Sequence, residues 1–331
     1  MSTDPGFEIA QRLARHCSTE HRFARSAFQP ELTELKVLEE HLWRDIMRPG
    51  PLWSNIRLVH EGKDLHPSKF MDARIGDGLV AHSYLNSARV SRYLLDGGTL
   101  IHNHLHENSM IVQRIQEALE YLVGARVWVQ AYLTRTSESA FGPHVDDHNF
   151  LVLQVSGKKR WSVYEPGSDV PIVDNSILMP GDFMYLASDT PHMVSGEGVL
   201  SLHLTIAFDW LDRPNRFGSS LSAHVREEHQ LARREGGALP VLLDPNTDPR
   251  GYAYKFAGRV RPGLVEGDGG IRLTDGDRSL LLDGRLRPVL EYLADGRYAD
   301  FATLCELAEE VSETQMRAFV LFAVQNEILY C

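Results

Sequence analysis

The segment Phe141-Gly142-Pro143-His144-Val145-Asp146-Asp147-His148 holds metal-binding residue types at a useful spacing. Side chains alternate faces along a strand, so His144 and Asp146 point one way and Val145 the other. One imidazole and one carboxylate, two residues apart, can then reach a single ion. A third ligand must come from elsewhere, and His192 is the best placed. Pro180-Gly181-Asp182 turns the chain into an apolar strand, and Thr190-Pro191 turns it again to deliver that histidine. Two histidines and one carboxylate cover one face of an octahedral ion and leave the other open, as in non-haem Fe(II) oxygenases. Lys159 follows a strand-turn-strand, Phe150 to Val155, Ser156-Gly157, then Lys158-Lys159-Arg160-Trp161. A lysine held near the wall there can pair with the distal carboxylate of 2-oxoglutarate. Read as a charge run alone, Lys158 to Arg160 is a solvated turn.

The remaining histidines, out of fifteen, receive plainer readings. His102, His104 and His106 alternate and raise the idea of a second metal, but a polar loop or surface is the simpler assignment. His148 shares strand parity with the ligands and suits the substrate entrance. His203 lies in an apolar strand and reads as a hydrogen-bonded core histidine. Trp161 and Tyr164 read as barrel packing.

The elements that would position these residues are legible in the periodicity. Residues 1–50 read as helical, with Leu32, Leu35, Leu38, Leu42 and Ile46 recurring at three and four. Met47-Arg48-Pro49-Gly50-Pro51 ends that run. Ile56 to Met71 turns extended, and a second helix is predicted over Ile111 to Leu122, stopped by Gly124. Five strands follow between turn residues: Val127–Thr134, Phe150–Val155, Arg160–Tyr164, Phe183–Ala187 and Val199–Phe208. Many short strands predict a sandwich or barrel, the class that contains jelly rolls. Beyond Asp212, a helix is predicted at Ser222 to Glu235 and a hairpin at Ile271 to Leu282 around Thr274-Asp275-Gly276-Asp277. Helices are expected near Arg285–Leu293, Phe301–Val311 and Ser312–Gln325, the last with capping-box spacing.

Composition excludes several classes. The chain has 331 residues, 43% hydrophobic and 24% charged, with a formal net charge of −11. That balance argues against broad nucleic-acid binding, which depends on Lys and Arg neutralising phosphates. No apolar run approaches the roughly 20 residues of a membrane helix. The first residues lack the apolar core of a signal peptide, so a cytoplasmic location is expected. Cys17, Cys305 and Cys331 are far apart and read as reduced thiols.

HVDDHNFLVLQVSGKKRWSVYEP, from His144 to Pro166, resembles the ribosomal-oxygenase and cupin-like branch of the Jumonji C family. Members typically read HxDxxxxxxxQxxGxKxW around their iron and cosubstrate sites. Ser201-Leu202-His203-Leu204-Thr205 resembles the strand after the last ligand there, and the likeness covers about residues 50–212. It implies a double-stranded β-helix, mainly β with α, with a helical N-terminal part and a small winged-helix-like C-terminal domain. The expected division is 1–212 catalytic, 213–267 a helical linker or dimerisation segment, and 268–331 winged-helix-like. It implies His144, Asp146 and His192 as iron ligands and Lys159 as partner of 2-oxoglutarate, with Tyr132 and Thr134 lining the same pocket. Gln130 stands where that branch usually has a cosubstrate-contacting Asn, and Ala207 where Ser or Asn is common. The interval from Asp146 to His192 is shorter than is usual there.

The activity implied is Fe(II)- and 2-oxoglutarate-dependent hydroxylation of an amino-acid side chain in a protein or peptide. Two alternatives stay open: hydroxylation of a free amino acid or natural-product intermediate, and a non-catalytic cupin-like binding or regulatory module. A homodimer is expected from the family, and neither DNA nor membrane binding is expected.

Overall fold

The strands expected between Val127 and Phe208 all form; three are extended by one or two residues, while Asp182–Leu186 begins and ends one residue early and Ser201–Trp210 begins and ends two residues late. The structure is a computed structural model. It describes residues 5–15, 17, 23–27, 32–47, 53–75, 81–165, 172–210, 248–258, 261–267, 269–275 and 278–330. The predicted helix at Ser222 to Glu235 and most of the 213–267 segment lie outside the described residues, as does Cys331. The chain divides into two compact units, Met1–Leu119 with Val127–Asp209, and Glu120–Arg126 with Trp210–Cys331.

The strands of the first unit are β1 (Phe23–Ala27), β2 (Ile56–His60), β3 (Lys63–Asp64), β4 (Met71–Ile75), β5 (Ala81–Leu85), β6 (Thr99–His102) and β7 (Ala125–Thr134). They continue with β8 (Asn149–Ser156), β9 (Lys159–Tyr164), β10 (Ile172–Leu178), β11 (Asp182–Leu186), β12 (His192–Gly196) and β13 (Ser201–Trp210). An eight-stranded sheet runs β1-β11-β8-β13-β7-β6-β2-β3, and a three-stranded sheet runs β10-β9-β12. Phe150, Val152, Met184, Leu186 and Ala207 from the first sheet share one buried cluster with Trp161, Val163 and Leu178 from the second. Inward residues of two facing sheets thus make one core, as in a jelly roll. β8 is buried on both faces through its six inner positions, which is why it reads as a continuous apolar run.

The N-terminal region departs from the all-helical expectation. Helices span Pro5–Ala14 and Leu32–Ile46, but β1 lies between them as an edge strand paired with β11. Phe23-Ala24-Arg25-Ser26-Ala27 has almost no β-branched or alternating signal. Its extended form follows from hydrogen bonding to a partner more than 150 residues away, which local pattern cannot report. In the helix Leu32–Ile46, Leu35, Leu38, Leu42 and Ile46 are buried as expected. The helix Met110–Val123 buries Val112, Ile115 and Leu119, with Ile111 and Leu122 half-buried at the stripe's edges. Gly124, at φ 64°, ends it.

The second unit contains helices Arg287–Ala294, Phe301–Leu307 and Glu313–Gln325, the last with the predicted capping box at Ser312 and Gln315. A three-stranded antiparallel sheet of Gly263–Gly267, Gly270–Asp275 and Arg278–Asp283 accompanies them. The hairpin forms where predicted, though turn residues 276 and 277 lie outside the described set. No helix among the described residues is long and apolar enough to cross a membrane.

Candidate metal and cosubstrate site

His144 and His192 meet as an isolated antiparallel bridge, His144 N–H donating to the His192 carbonyl at 3.0 Å and His192 N–H to the His144 carbonyl at 2.9 Å. Asp189 N–H donates to the Asp146 carbonyl at 2.9 Å, tying the turn before His192 to the same segment. These bonds join stretches that are nearly fifty residues apart. One ligand atom from each of His144, Asp146 and His192 lies within 4.8 Å of the other two, and His192 Nε2 is 3.6 Å from Asp146 Oδ2.

Hydrogen bonds set the tautomers. His144 Nδ1 is 2.9 Å from the Gly142 carbonyl and His192 Nδ1 is 3.0 Å from the Thr190 carbonyl. A carbonyl only accepts, so each Nδ1 carries the proton and each Nε2 keeps a free lone pair for a metal. Burial also lowers the His192 pKa, which favours the neutral ring that a metal needs.

A second group, His104, His106 and Glu107, gathers as closely but is wired the opposite way. Val129 N–H donates to His106 Nδ1 at 3.3 Å, so a neutral His106 holds its proton on Nε2. Glu107 Oε2 accepts from Asn55 Nδ2 at 3.0 Å. In that tautomer His106 has no ring lone pair left for a cation, and Glu107 is engaged by Asn55, in line with the polar-loop reading.

The His-Asp-His group opens onto a cavity of about 280 Å³ that Lys159, Tyr132, Thr134, Gln130 and His148 also line. Lys159 is 2% exposed and thus no solvated turn residue. Gly157, at φ 65°, makes the sharp turn into β9, and a Cβ there would strike the Leu200 carbonyl. Among the described residues no carboxylate pairs with the Lys159 ammonium, which stands 6.0 Å from the Tyr132 ring centroid. Burial pushes its pKa down to about 7. Thr99 Oγ1 donates to Thr134 Oγ1 at 3.3 Å. Gln130 is engaged at both ends of its amide, Nε2 donating to Asn103 Oδ1 at 3.1 Å and Oε1 accepting from Tyr132 Oη at 2.9 Å. It therefore fixes the Tyr132 hydroxyl and has little left for a ligand.

Two cavity residues were underread in the sequence. Trp161 packs in the barrel core as expected, and it also stacks on His192, with centroids 5.8 Å apart at 21°, while its Nε1 has no hydrogen-bond partner. His203 is buried, but the hydrogen bonds of a satisfied core histidine are missing. Strand parity was the available signal, because His203 and Thr205 alternate along β13 and both line the cavity.

Two facing sheets, with a cavity between them lined by a His-Asp-His group that could hold a metal ion, define a jelly-roll fold with a candidate metal site. Comparison narrows this: residues 100–213 match the JmjC domain family. The chain is 34% identical over 162 residues to "Bifunctional lysine-specific demethylase and histidyl-hydroxylase NO66" of Drosophila pseudoobscura pseudoobscura, covering 42% of this chain and 17% of that protein. It is 30% identical over 169 residues to "Ribosomal oxygenase 2" of Rattus norvegicus, covering 45% and 36%. The matched regions are thus about a third or less of those relatives' lengths. The X-ray structure of E. coli ycfD aligns over 96% of this chain and 97% of its own at 14% identity and TM-score 0.50, a likeness of fold alone.

Proposed function

We propose that the chain is an Fe(II)- and 2-oxoglutarate-dependent hydroxylase acting on an amino-acid side chain in a protein or peptide. His144 and His192 through Nε2, with a carboxylate oxygen of Asp146, would hold the iron. When bound, iron supplies the oxygen chemistry that no side chain can perform. Lys159 would bind the distal carboxylate of 2-oxoglutarate, with the Tyr132 hydroxyl and Thr134 beside it. The observation that carries the reading is one cavity lined by two histidines tautomerically set to ligate and by an unpaired buried ammonium. A buried charge without a partner is costly, and an anionic cosubstrate removes that cost.

The cavity volume supports a modest substrate. About 280 Å³ is at the low end of small-molecule sites, which run roughly 300–1,000 Å³. After 2-oxoglutarate enters, the space left suits one side chain better than a large metabolite. The names of the relatives, ribosomal oxygenase and histidyl-hydroxylase, point to histidine within a ribosomal protein as the first candidate. We read residues 268–331 as a winged-helix-like domain acting in assembly or substrate framing, on three helices and the antiparallel strands beside them.

The test is anaerobic loading with Fe(II), then 2-oxoglutarate, oxygen and ribosomal-protein peptides containing histidine. Succinate should form in proportion to a peptide product 16 mass units heavier. Succinate with no modified peptide from any histidine-containing set would sink the substrate assignment. No 2-oxoglutarate consumption under any condition would sink the enzyme reading.

A further inference from the structure

His203 is 3% exposed and sits on β13 opposite Gln154 of β8. Its ring lies almost parallel to that of Tyr132, centroids 5.0 Å apart at 8°, and meets Trp161 edge-on at 5.6 Å and 69°. The two aromatic rings leave the imidazole little freedom to turn. Its Nδ1 is fully buried with no hydrogen-bond partner, and among the described residues none bonds to Nε2 either. Nε2 is not sealed off like Nδ1, and the residue lines the cavity. Buried polar groups in native proteins are almost always bonded, so an imidazole with neither nitrogen engaged calls for a ligand.

The neighbouring charge says what kind of ligand. Burial, and then the Lys159 ammonium, hold His203 well below the usual histidine pKa, so the ring is neutral and carries one N–H. A second cation or a metal would meet repulsion from Lys159. An anion between the two would receive a charge-assisted bond from each. Lys159 by itself does not exhaust a carboxylate, whose two oxygens offer about four acceptor positions.

We propose that His203 donates Nε2–H to the distal carboxylate of 2-oxoglutarate, sharing it with Lys159, and so selects a dicarboxylic 2-oxo acid. This rests on reading the cavity as a 2-oxoglutarate site. His203 is then a binding and selectivity residue that touches the cosubstrate at the end remote from the metal.

The test titrates the full chain, loaded with Mn(II) without oxygen, with 2-oxoglutarate and separately with oxalate, which can reach a metal but has no distal carboxylate. His203→Phe keeps a ring between Tyr132 and Trp161 and removes both nitrogens. Its 2-oxoglutarate dissociation constant should rise about 10- to 100-fold, with oxalate binding as in the parent. Parent-like affinity for 2-oxoglutarate in His203→Phe overturns the proposal. An equal loss for both ligands does so too, since the substitution would then have disturbed the metal site. If the parent binds oxalate but not 2-oxoglutarate, the functional reading falls as well. Should His203→Phe not fold, the imidazole nitrogen-15 signals of His203 in the Zn(II)-loaded parent give the answer. Nε2 should shift on saturation with 2-oxoglutarate and stay put with oxalate, and a signal unmoved by 2-oxoglutarate overturns the proposal.

Discussion

If the Lys159 ammonium receives the distal carboxylate, binding must be coupled to a proton. Burial pushes Lys159 from an ordinary 10.5 to about 7 in the empty cavity. At pH 7 about half of the molecules hold the charged form, and at pH 9 about one in a hundred. A dianion binds the charged form, so affinity is reduced by the fraction that is competent. The 2-oxoglutarate dissociation constant should therefore rise about 50-fold from pH 7 to pH 9, with uptake of nearly one proton at the upper end. Of the groups facing Lys159, His203 is neutral throughout this window, and burial raises the Tyr132 pKa above it. Calorimetry of the Mn(II)-loaded protein, in buffers of different ionisation enthalpy, measures affinity and proton uptake together. Lys159→Arg, charged at any accessible pH, should remove most of the dependence, and Lys159→Met should bind weakly at every pH. A parent affinity that varies less than threefold across the window, with Lys159→Met weakened throughout, would refute the argument that burial governs this lysine.

The same shift has a consequence for stability. The unfolded chain holds this proton between about pH 7 and 10.5 and the fold does not, so stability rises with pH across that window. Lys159→Met should accordingly raise the melting temperature of the unliganded protein near pH 7, and an unchanged or lower value would count against it. His144→Ala, Asp146→Ala and His192→Ala should each abolish tight Co(II) binding, read from its visible absorption, whereas His148→Ala should keep it; a triad variant with parent-like affinity would move the site. A Cβ on Gly196 would strike the Thr136 carbonyl, so Gly196→Ala should cost about 1–3 kcal/mol by denaturant melts, and a neutral result would mean that the Thr136 backbone yields freely. Residues 268–331 hold six Arg against twelve Asp plus Glu, a net of 6 − 12 = −6. The full chain should therefore show no saturable, salt-sensitive binding to duplex DNA at physiological ionic strength.

Much of this molecule was determined by its sequence because the relevant properties are local. Alternation along a strand puts His144 and Asp146 on one side whatever the partner strand, and the capping box at Ser312 needs only its own turn. The five barrel strands and the stop at Gly124 follow from apolar runs and turn residues a few positions apart. Burial was decided only by tertiary structure. Lys159 reads as one of three charges in a turn, yet the Leu200 carbonyl against Gly157 and the wall of Tyr132 place it inside the cavity. The edge strand β1 exists through hydrogen bonds to β11, which no local pattern of Phe23 to Ala27 encodes. The choice between two histidine clusters likewise depended on distant groups. Two backbone carbonyls set His144 and His192 to ligate, while the amide of Val129 sets His106 not to. His203 shows the limit most clearly: sequence supplies the imidazole and the strand parity, but a missing hydrogen-bond partner is a property of everything packed around it.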